Sequence, residues 1–388
     1  MSIRSSTGRS QHRNSRVAAQ EAIAQASHGL KGSAVGLFLF GGIGHDQREL
    51  AFTAWDACGR VPMAGGSGEG GIGTGWSDES PFWVTATLLG GDEIQCRSGS
   101  QTGLQQDSHA IGAYVRARGI APDTKALFLF PDGITTNVTA LYHAFDGLSV
   151  PLLGGLTADD WLAEGKSWQY CDGQALTDSV SWLSLAGKVH VSWACQHGCR
   201  VFGGESKVTR SKGNRIWEID GIPVMDFLKE CAFPSSVGQL EGVSLNIALF
   251  YQTPESPDRR VTHFVIPHVN QTRLDYIQIQ PELPVGTRLW LARRDPTSIT
   301  EDLDLLSEDL TIRLAGRTPK VLLHFDCAGR GQVMFSREQI LRNLRHLQQA
   351  IPGVPSWNGF YSYGELTPSL HGNSYNNYSA VLAALSDP

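Results

Sequence analysis

An apolar strand, a polar or Gly-rich bend, an amphipathic helix, then Val-Pro and a Gly-rich turn: this order occurs three times in the chain. The first copy runs from Leu37-Phe38-Leu39-Phe40 to Val61-Pro62 and Gly65-Gly66. The second runs from Leu127-Phe128-Leu129-Phe130 to Val150-Pro151 and Gly154-Gly155, and the third from Leu322-Leu323-His324-Phe325 to Val354-Pro355 and Gly359. A strand-loop-helix-strand unit puts its loops at one end of a sheet, so three copies bring several polar loops together. The function is expected at those loops.

Helical periodicity supports the unit. Val138, Leu141, Tyr142 and Phe145 make one apolar stripe, and so do Ile340, Leu341, Leu344 and Leu347. Ser336 with Gln339 forms a capping-box pattern ahead of the latter. Leu50, Ala54, Ala57 and Cys58 give the first copy a weaker stripe of small residues. Between copies the period is two, which predicts strands at 82–89, 181–185, 189–193 and 207–210, with Asp172-Gly173 and Asp220-Gly221 as tight turns. A second strand group is expected at 244–252, 262–266, 274–279 and 287–291. The turn at Asp220–Pro223, ahead of a helical stretch at 224–230, marks the expected domain boundary. The predicted fold is α/β (mixed α+β): two lobes of mixed sheets with outer helices, built on three strand-loop-helix-strand units. Residues 1–33 are expected as a flexible tail with a short helix, 34–219 as one domain and 220–388 as the other.

Composition narrows the class. With 41% hydrophobic and 18% charged residues, 388 positions supply a real core and exclude general disorder. A net charge of −6 without a Lys/Arg block argues against a nucleic-acid or polybasic membrane surface. The longest apolar runs are too short to span a bilayer. Seven scattered cysteines fit a reducing, cytoplasmic compartment. The first sixteen residues carry Arg4, Arg9, Arg13 and Arg16 but no apolar stretch, so a secretory signal is not expected. A frayed tail and an organelle transit peptide both fit them.

Five stretches in order carry a family resemblance. Pro131-Asp132-Gly133-Ile134-Thr135-Thr136-Asn137, Val150–Gly155 and His197-Gly198-Cys199-Arg200 resemble signatures of the FIST (F-box and intracellular signal transduction) N-terminal domain. Cys327-Ala328-Gly329-Arg330-Gly331 and Gly359–Glu365 resemble those of its C-terminal domain. The resemblance implies a sensory protein that binds small ligands, with amino acids proposed. Some members are haem proteins that sense nitric oxide and act on histidine kinases or cyclic-dinucleotide enzymes. One departure stands out: Gly65-Gly66-Ser67-Gly68-Glu69 replaces a family stretch that often carries cysteine, so a role needing that cysteine is in doubt.

The loops supply the candidate residues. In the third copy, Gly329 and Gly331 let backbone amides approach a ligand, and Arg330 offers a planar fork for a carboxylate or phosphate. A nearby helix N-terminus would favour an anion and depress the pKa of Cys327. The alternative is a structural turn with Arg330 paired to an internal carboxylate, Glu365 being the obvious one. Tyr361, Tyr363 and Glu365 combine aromatic faces with a carboxylate, so Arg330 and Glu365 together complement an amino acid. In the second copy, Asp132, Thr136 and Asn137 can hold a polar ligand, or the bend can simply cap the helix through Thr135 or Thr136. Gly155 admits a ligand or closes a tight turn.

Weaker patterns remain. Gly68-x-Gly70-x-x-Gly73 satisfies a dinucleotide fingerprint but leads to a strand, so it is expected as a flexible loop or lid. Cys195-x-His197-x-Cys199 has zinc-like spacing without a fourth ligand nearby. For haem, His263 and His268 sit among apolar residues and are the candidate proximal ligands. A cysteine-dependent enzyme would use Cys327 with His324 as base. The leading expectation is a sensor that binds an amino acid or similar small anionic metabolite and signals to a partner protein. The haem-based sensor of nitric oxide is the alternative.

Overall fold

The computed structural model describes residues 3–159, 165–232, 245–254, 258–269, 272–369 and 372–388. Their helices are α1 (Ser15–Gly29), α2 (Gln47–Ala57), α3 (Leu104–Gly119), α4 (Val138–His143), α5 (Val224–Ala232), α6 (Pro296–Leu314) and α7 (Arg337–Ala350). The fold is mixed α/β, as the periodicities predict, but its repeating unit is larger than the one visible in sequence.

Each unit has six parts. In the first, strand Arg4–Ser10, α1, strand Ala34–Gly41, α2 and strand Met63–Ser67 are followed, after an excursion, by strand Val84–Gly90. The second repeats this with Ile94–Thr102, α3, Thr124–Pro131, α4, Leu152–Gly155 and Ser179–Gly187. The third uses His190–Gln196, α6, Pro319–Cys327, α7, Trp357–Ser362 and Ala380–Ser386. In each, the third-named and fifth-named elements pair in parallel, and the closing strand returns antiparallel between the opening strand and the first of the parallel pair.

The excursions bind the units to one another. After its parallel pair each unit sends out a hairpin that joins a different unit's sheet. Gly70–Gly73 with Trp76–Asp78 leaves the first unit and pairs with Trp357–Ser362 of the third. Glu365–Ser369 with Gly372–Asn376 leaves the third and pairs with Leu152–Gly155 of the second. Gln169–Cys171 with Gln174–Leu176 leaves the second and pairs with Met63–Ser67 of the first. The exchange closes on itself, giving three six-stranded sheets. The Gly68–Gly73 run, expected as a loop or lid, is therefore largely a buried strand.

The three sheets meet on one aromatic core. Phe38, Phe40, Phe128, Phe130, Phe325 and Phe360 are all fully buried there, and ring pairs such as Phe40–Phe360 (4.7 Å) and Phe38–Phe128 (5.0 Å) interlock across units. The outer sheet faces pack under the helices, with Leu37 and Leu39 beneath α1 and α2 and Leu127 and Leu129 beneath α3 and α4. The turn glycines follow from strand spacing. A Cβ at Gly65 would lie 1.8 Å from Leu39 O, at Gly154 2.1 Å from Leu129 O, and at Gly359 1.7 Å from His324 O. No side chain fits against a carbonyl at that range.

One expectation about organisation is corrected. Residues 4–29, assigned to a flexible tail with a short helix, are the first strand and helix of unit one. Arg4–Ser10 pairs along its length with Val84–Gly90, and Ala18, Ala19, Ala22 and Ala26 of α1 are fully buried. The signal was weak because α1 buries alanines, which give little amphipathic contrast. Strand pairing runs across the expected boundary at 219/220. The third unit straddles it, since His190–Gln196 pairs with Ala380–Ser386. The described residues between 200 and 293 form a lobe inserted between that unit's first strand and α6, with its own antiparallel sheet of Arg200–Lys212, Arg215–Ile219, Ile247–Gln252, Arg260–Thr262 and Arg288–Arg293 and its own core. Of the strands expected here, 262–266 and 274–279 shrink to Arg260–Thr262 and Ile277–Gln278.

Candidate functional site

The third-copy loop forms a closed electrostatic cluster. Strand alternation sends Leu322, His324 and Asp326 towards α6 and α7, and Leu323 and Phe325 towards the aromatic core. Arg330 sits on the 3-10 turn Ala328–Arg330 and is buried. Its Nε donates to Asp326 Oδ1 at 2.7 Å and one terminal nitrogen donates to His197 O at 3.2 Å. Its carboxylate partner is thus Asp326 and not Glu365, because Asp326 shares the helix-facing side of the strand. Burial works to raise the pKa of Asp326, but Arg330 and His324 outweigh it and hold the carboxyl below its ordinary range. His324 Nε2 lies 3.3 Å from Asp326 Oδ2, and Trp357 Nε1 donates to His324 Nδ1 at 3.4 Å.

These groups floor a small cavity walled by Ile72, Leu303, Phe335 and Leu344. Its 30 Å³ is room for about two or three waters. That is too little for an amino acid without movement of α6 or α7. Glu79 reaches the same loop: its carboxylate accepts from Gln332 N at 2.9 and 3.1 Å, and burial, then Asp326 and Asp78, push its pKa up to about 7.

Gly331 packs against that Glu79 carboxylate. Cys327 lies on the other side of the strand, in a patch with Cys199, Trp290 and Tyr378. Burial, reinforced by Glu365, pushes its thiol well up, opposite to the expected activation. The N-terminus of α7 begins at Ser336, too far along the chain to act on it. His324 and Cys327 face opposite sides of the strand, so they do not form a nucleophile-base pair. Glu365 is fully buried, lies 2.8 Å from Ser362 Oγ, and accepts from Ser379 N at 3.1 Å and Ser379 Oγ at 2.9 Å. Tyr363 donates its hydroxyl to Asp159.

The second-copy bend is used by the backbone. Asp132 Oδ1 accepts from Ile134 N and Thr135 N, and Oδ2 accepts from Asp178 N at 3.0 Å. Thr136 donates to Asp132 O. The helix cap is Asn137, whose side chain accepts from Ala140 N at 3.0 Å, in place of the expected Thr135 or Thr136. Gly155 pairs with Glu365 across the exchanged strand, against Ser362 and Phe360.

A larger space opens between α4 and the inserted lobe. This cleft of about 1170 Å³ is lined by Tyr142, Tyr251, Tyr375, Arg260, Lys212 and Asn373 among others. Arg260 hydrogen-bonds Tyr251 and acts electrostatically on Tyr142. Tyr142 donates to Ser374 O at 3.0 Å. Sequence reasoning missed this group, since Arg260 belongs to no motif and its neighbours come from three separate stretches.

Of the two haem candidates the structure describes the side chain of His263. His263 packs on Tyr378 at 6.0 Å, hydrogen-bonds Asn377 and lines neither the cavity nor the cleft. The side chain of His268 lies outside the described residues. His197, of the zinc-like triplet, packs on Phe250 at 4.9 Å and its Nδ1 accepts from Cys199 N. Among the described residues no group of three His, Cys, Asp or Glu is placed to hold a metal ion, and no helix is long and apolar enough to cross a membrane.

The architecture is therefore a three-unit α/β body with an inserted lobe and a cleft of about 1170 Å³ between them. The FIST N domain model matches residues 35–222 and the FIST C domain model residues 239–368, so the chain belongs to the FIST family. That family is associated with signal transduction and small-ligand sensing. No curated protein matches the chain significantly.

Proposed function

We propose that the chain is a sensory module that binds an amino acid or similar small anionic metabolite in the cleft between α4 and the inserted lobe. The observation that carries this reading is the half-buried Arg260 set among three tyrosines in a space of metabolite size. The cavity at Arg330 is smaller by far and its arginine is already neutralised by Asp326.

Position supports a sensing role. A ligand touching both walls would favour one arrangement of the lobe on the body, which is how binding energy becomes a signal. The output partner on this reading is a histidine kinase or a cyclic-dinucleotide enzyme. A thermal-shift screen of amino acids and small dicarboxylates tests the proposal. A stabiliser is expected, and Arg260→Gln is expected to abolish its effect while Arg330→Lys leaves it intact. No stabiliser, or one indifferent to Arg260→Gln, overturns the reading. A haemin titration that yields a bound-haem absorption band would point to the gas-sensor alternative instead.

A further inference from the structure

At one position the third unit carries an ionisable group where the second unit carries its neutral isostere. Glu365 opens the hairpin that enters the second unit's sheet and faces Gly155; Gln169 opens the hairpin that enters the first and faces Gly66. Both are fully buried, and on one side their hydrogen-bond partners correspond. Gln169 Oε1 accepts from Ser179 N at 3.2 Å and Ser179 Oγ at 2.7 Å. Glu365 Oε2 accepts from Ser379 N at 3.1 Å and Ser379 Oγ at 2.9 Å.

The other side of each group decides the protonation. Gln169 Nε2 donates to Thr157 Oγ1 at 2.7 Å, and that hydroxyl donates to Pro131 O at 3.2 Å. In the third unit Ser362 Oγ takes the place of Thr157, 2.8 Å from Glu365 Oε1 and 3.2 Å from Asp326 O. A serine has one hydroxyl proton. With the Ser362 proton on the Asp326 O side, the proton between Ser362 and Glu365 belongs to Glu365.

We propose that Glu365 is a buried proton-binding site: a neutral carboxylic acid in the resting protein whose ionisation turns Ser362 away from Asp326 and loosens the hairpin where it crosses into the second unit. The groups that face it are Asp326 and Cys327 from strand Pro319–Cys327, Cys195 from strand His190–Gln196 and Tyr375 from the hairpin itself. None of these is a cation. Arg330 is committed to Asp326, and Arg294 to Gly329 O and the Tyr378 ring. Burial pushes the Glu365 carboxyl up to about 8, against the pull of Ser362 and Ser379. The fold itself does not require an acid here, since the first unit has Gly71 at this position, packed against Trp83.

The sign follows from linkage. A carboxyl whose folded pKa is raised contributes stability that is complete below its unfolded value and is lost as pH rises through about 8. Infrared difference spectra of the full chain, wild type minus Glu365→Gln, are expected to show a protonated carboxylic-acid band at pH 7 that disappears above pH 8; the subtraction removes Glu79. The melting temperature of wild type should fall relative to Glu365→Gln as pH rises from 4.5 to about 8, and Gln169→Glu should import a second loss over that range. Absence of the band, or parallel melting curves for wild type and Glu365→Gln, overturns the proposal. If Glu365→Gln does not fold, the reciprocal Gln169→Glu decides: it must show a protonated carboxyl at neutral pH, and an ionised one sinks the idea.

Discussion

Asn137 Nδ2 donates to Glu282 Oε1 at 2.8 Å, so the residue that caps α4 also ties the second unit to the inserted lobe. Thr139 Oγ1 accepts from Glu282 N at 2.8 Å, and Gln280 accepts from Asn377 Nδ2 at 2.7 Å. The segment that carries these latches also lines the cleft, at Pro281 to Val285. Contacts that join two lobes across a ligand space are the ones a ligand can rearrange.

Removing one latch tests whether lobe contact is separable from folding. Glu282 is exposed, so Glu282→Ala should cost only about 0.5–1.5 kcal/mol of global stability. Hydrogen exchange should nonetheless speed up in residues 132–139 and 280–285. Unchanged exchange there would show that the lobe is held by other contacts.

His324 occupies the place of Leu39 and Leu129 in the other units, as the shared contact of Gly359, Gly65 and Gly154 with their carbonyls shows. His324→Leu restores an apolar residue already tolerated twice but takes the acceptor from Trp357 Nε1, so it should cost about 1–2 kcal/mol while Asp326 keeps Arg330. Asp326→Ala should cost about 3–5 kcal/mol by leaving Arg330 buried and unpaired. Urea unfolding of both variants checks the contrast; equal losses would mean that the His324 contact matters as much as the Arg330 pair.

Acid should destabilise the protein through three histidines. Burial lowers the pKa of His45 (with His12 adding), His197 and His263 to about 4 each, from an ordinary 6.5. A group whose folded pKa is depressed binds its proton more readily when unfolded, so stability is intact above pH 6.5 and falls as pH drops towards 4. The combined loss is on the order of several kcal/mol. His263→Gln, which keeps a hydrogen-bonding side chain beside Asn377, should flatten part of that slope in denaturant titrations.

Backbone packing predicts a sharp difference between two glycines. Gly154 has φ +136° and its Cβ would sit 2.1 Å from Leu129 O, whereas Gly59 has φ +84° with open space around it. Gly154→Ala should cost more than about 3 kcal/mol, and Gly59→Ala about 1 kcal/mol of backbone strain alone. Comparable melting temperatures for the two variants would remove steric packing as the reason for the repeat's glycine.

What could be read in advance was local. The capping box at Ser336 and Gln339 is present, and the stripes of α4 and α7 bury Val138, Leu141, Ile340 and Leu344. Arg330 was singled out for its chemistry, yet its partner Asp326 lies only four residues away, on a strand face that periodicity alone did not assign. The cleft was not legible at all. Tyr142, Arg260 and Tyr375 come from three segments joined only by the lobe's docking.

By itself the sequence determined the threefold strand-bend-helix-Val-Pro-Gly pattern and the family resemblance, because each rests on neighbours within about thirty residues. Tertiary structure alone decided that every unit surrenders its hairpin to another, since strand pairing between distant segments leaves no periodic trace in either one. It also decided which buried acid matters. Glu365 and Gln169 look unrelated in sequence, and only the shared hydrogen-bond pattern of two exchanged hairpins shows that one replaces the other.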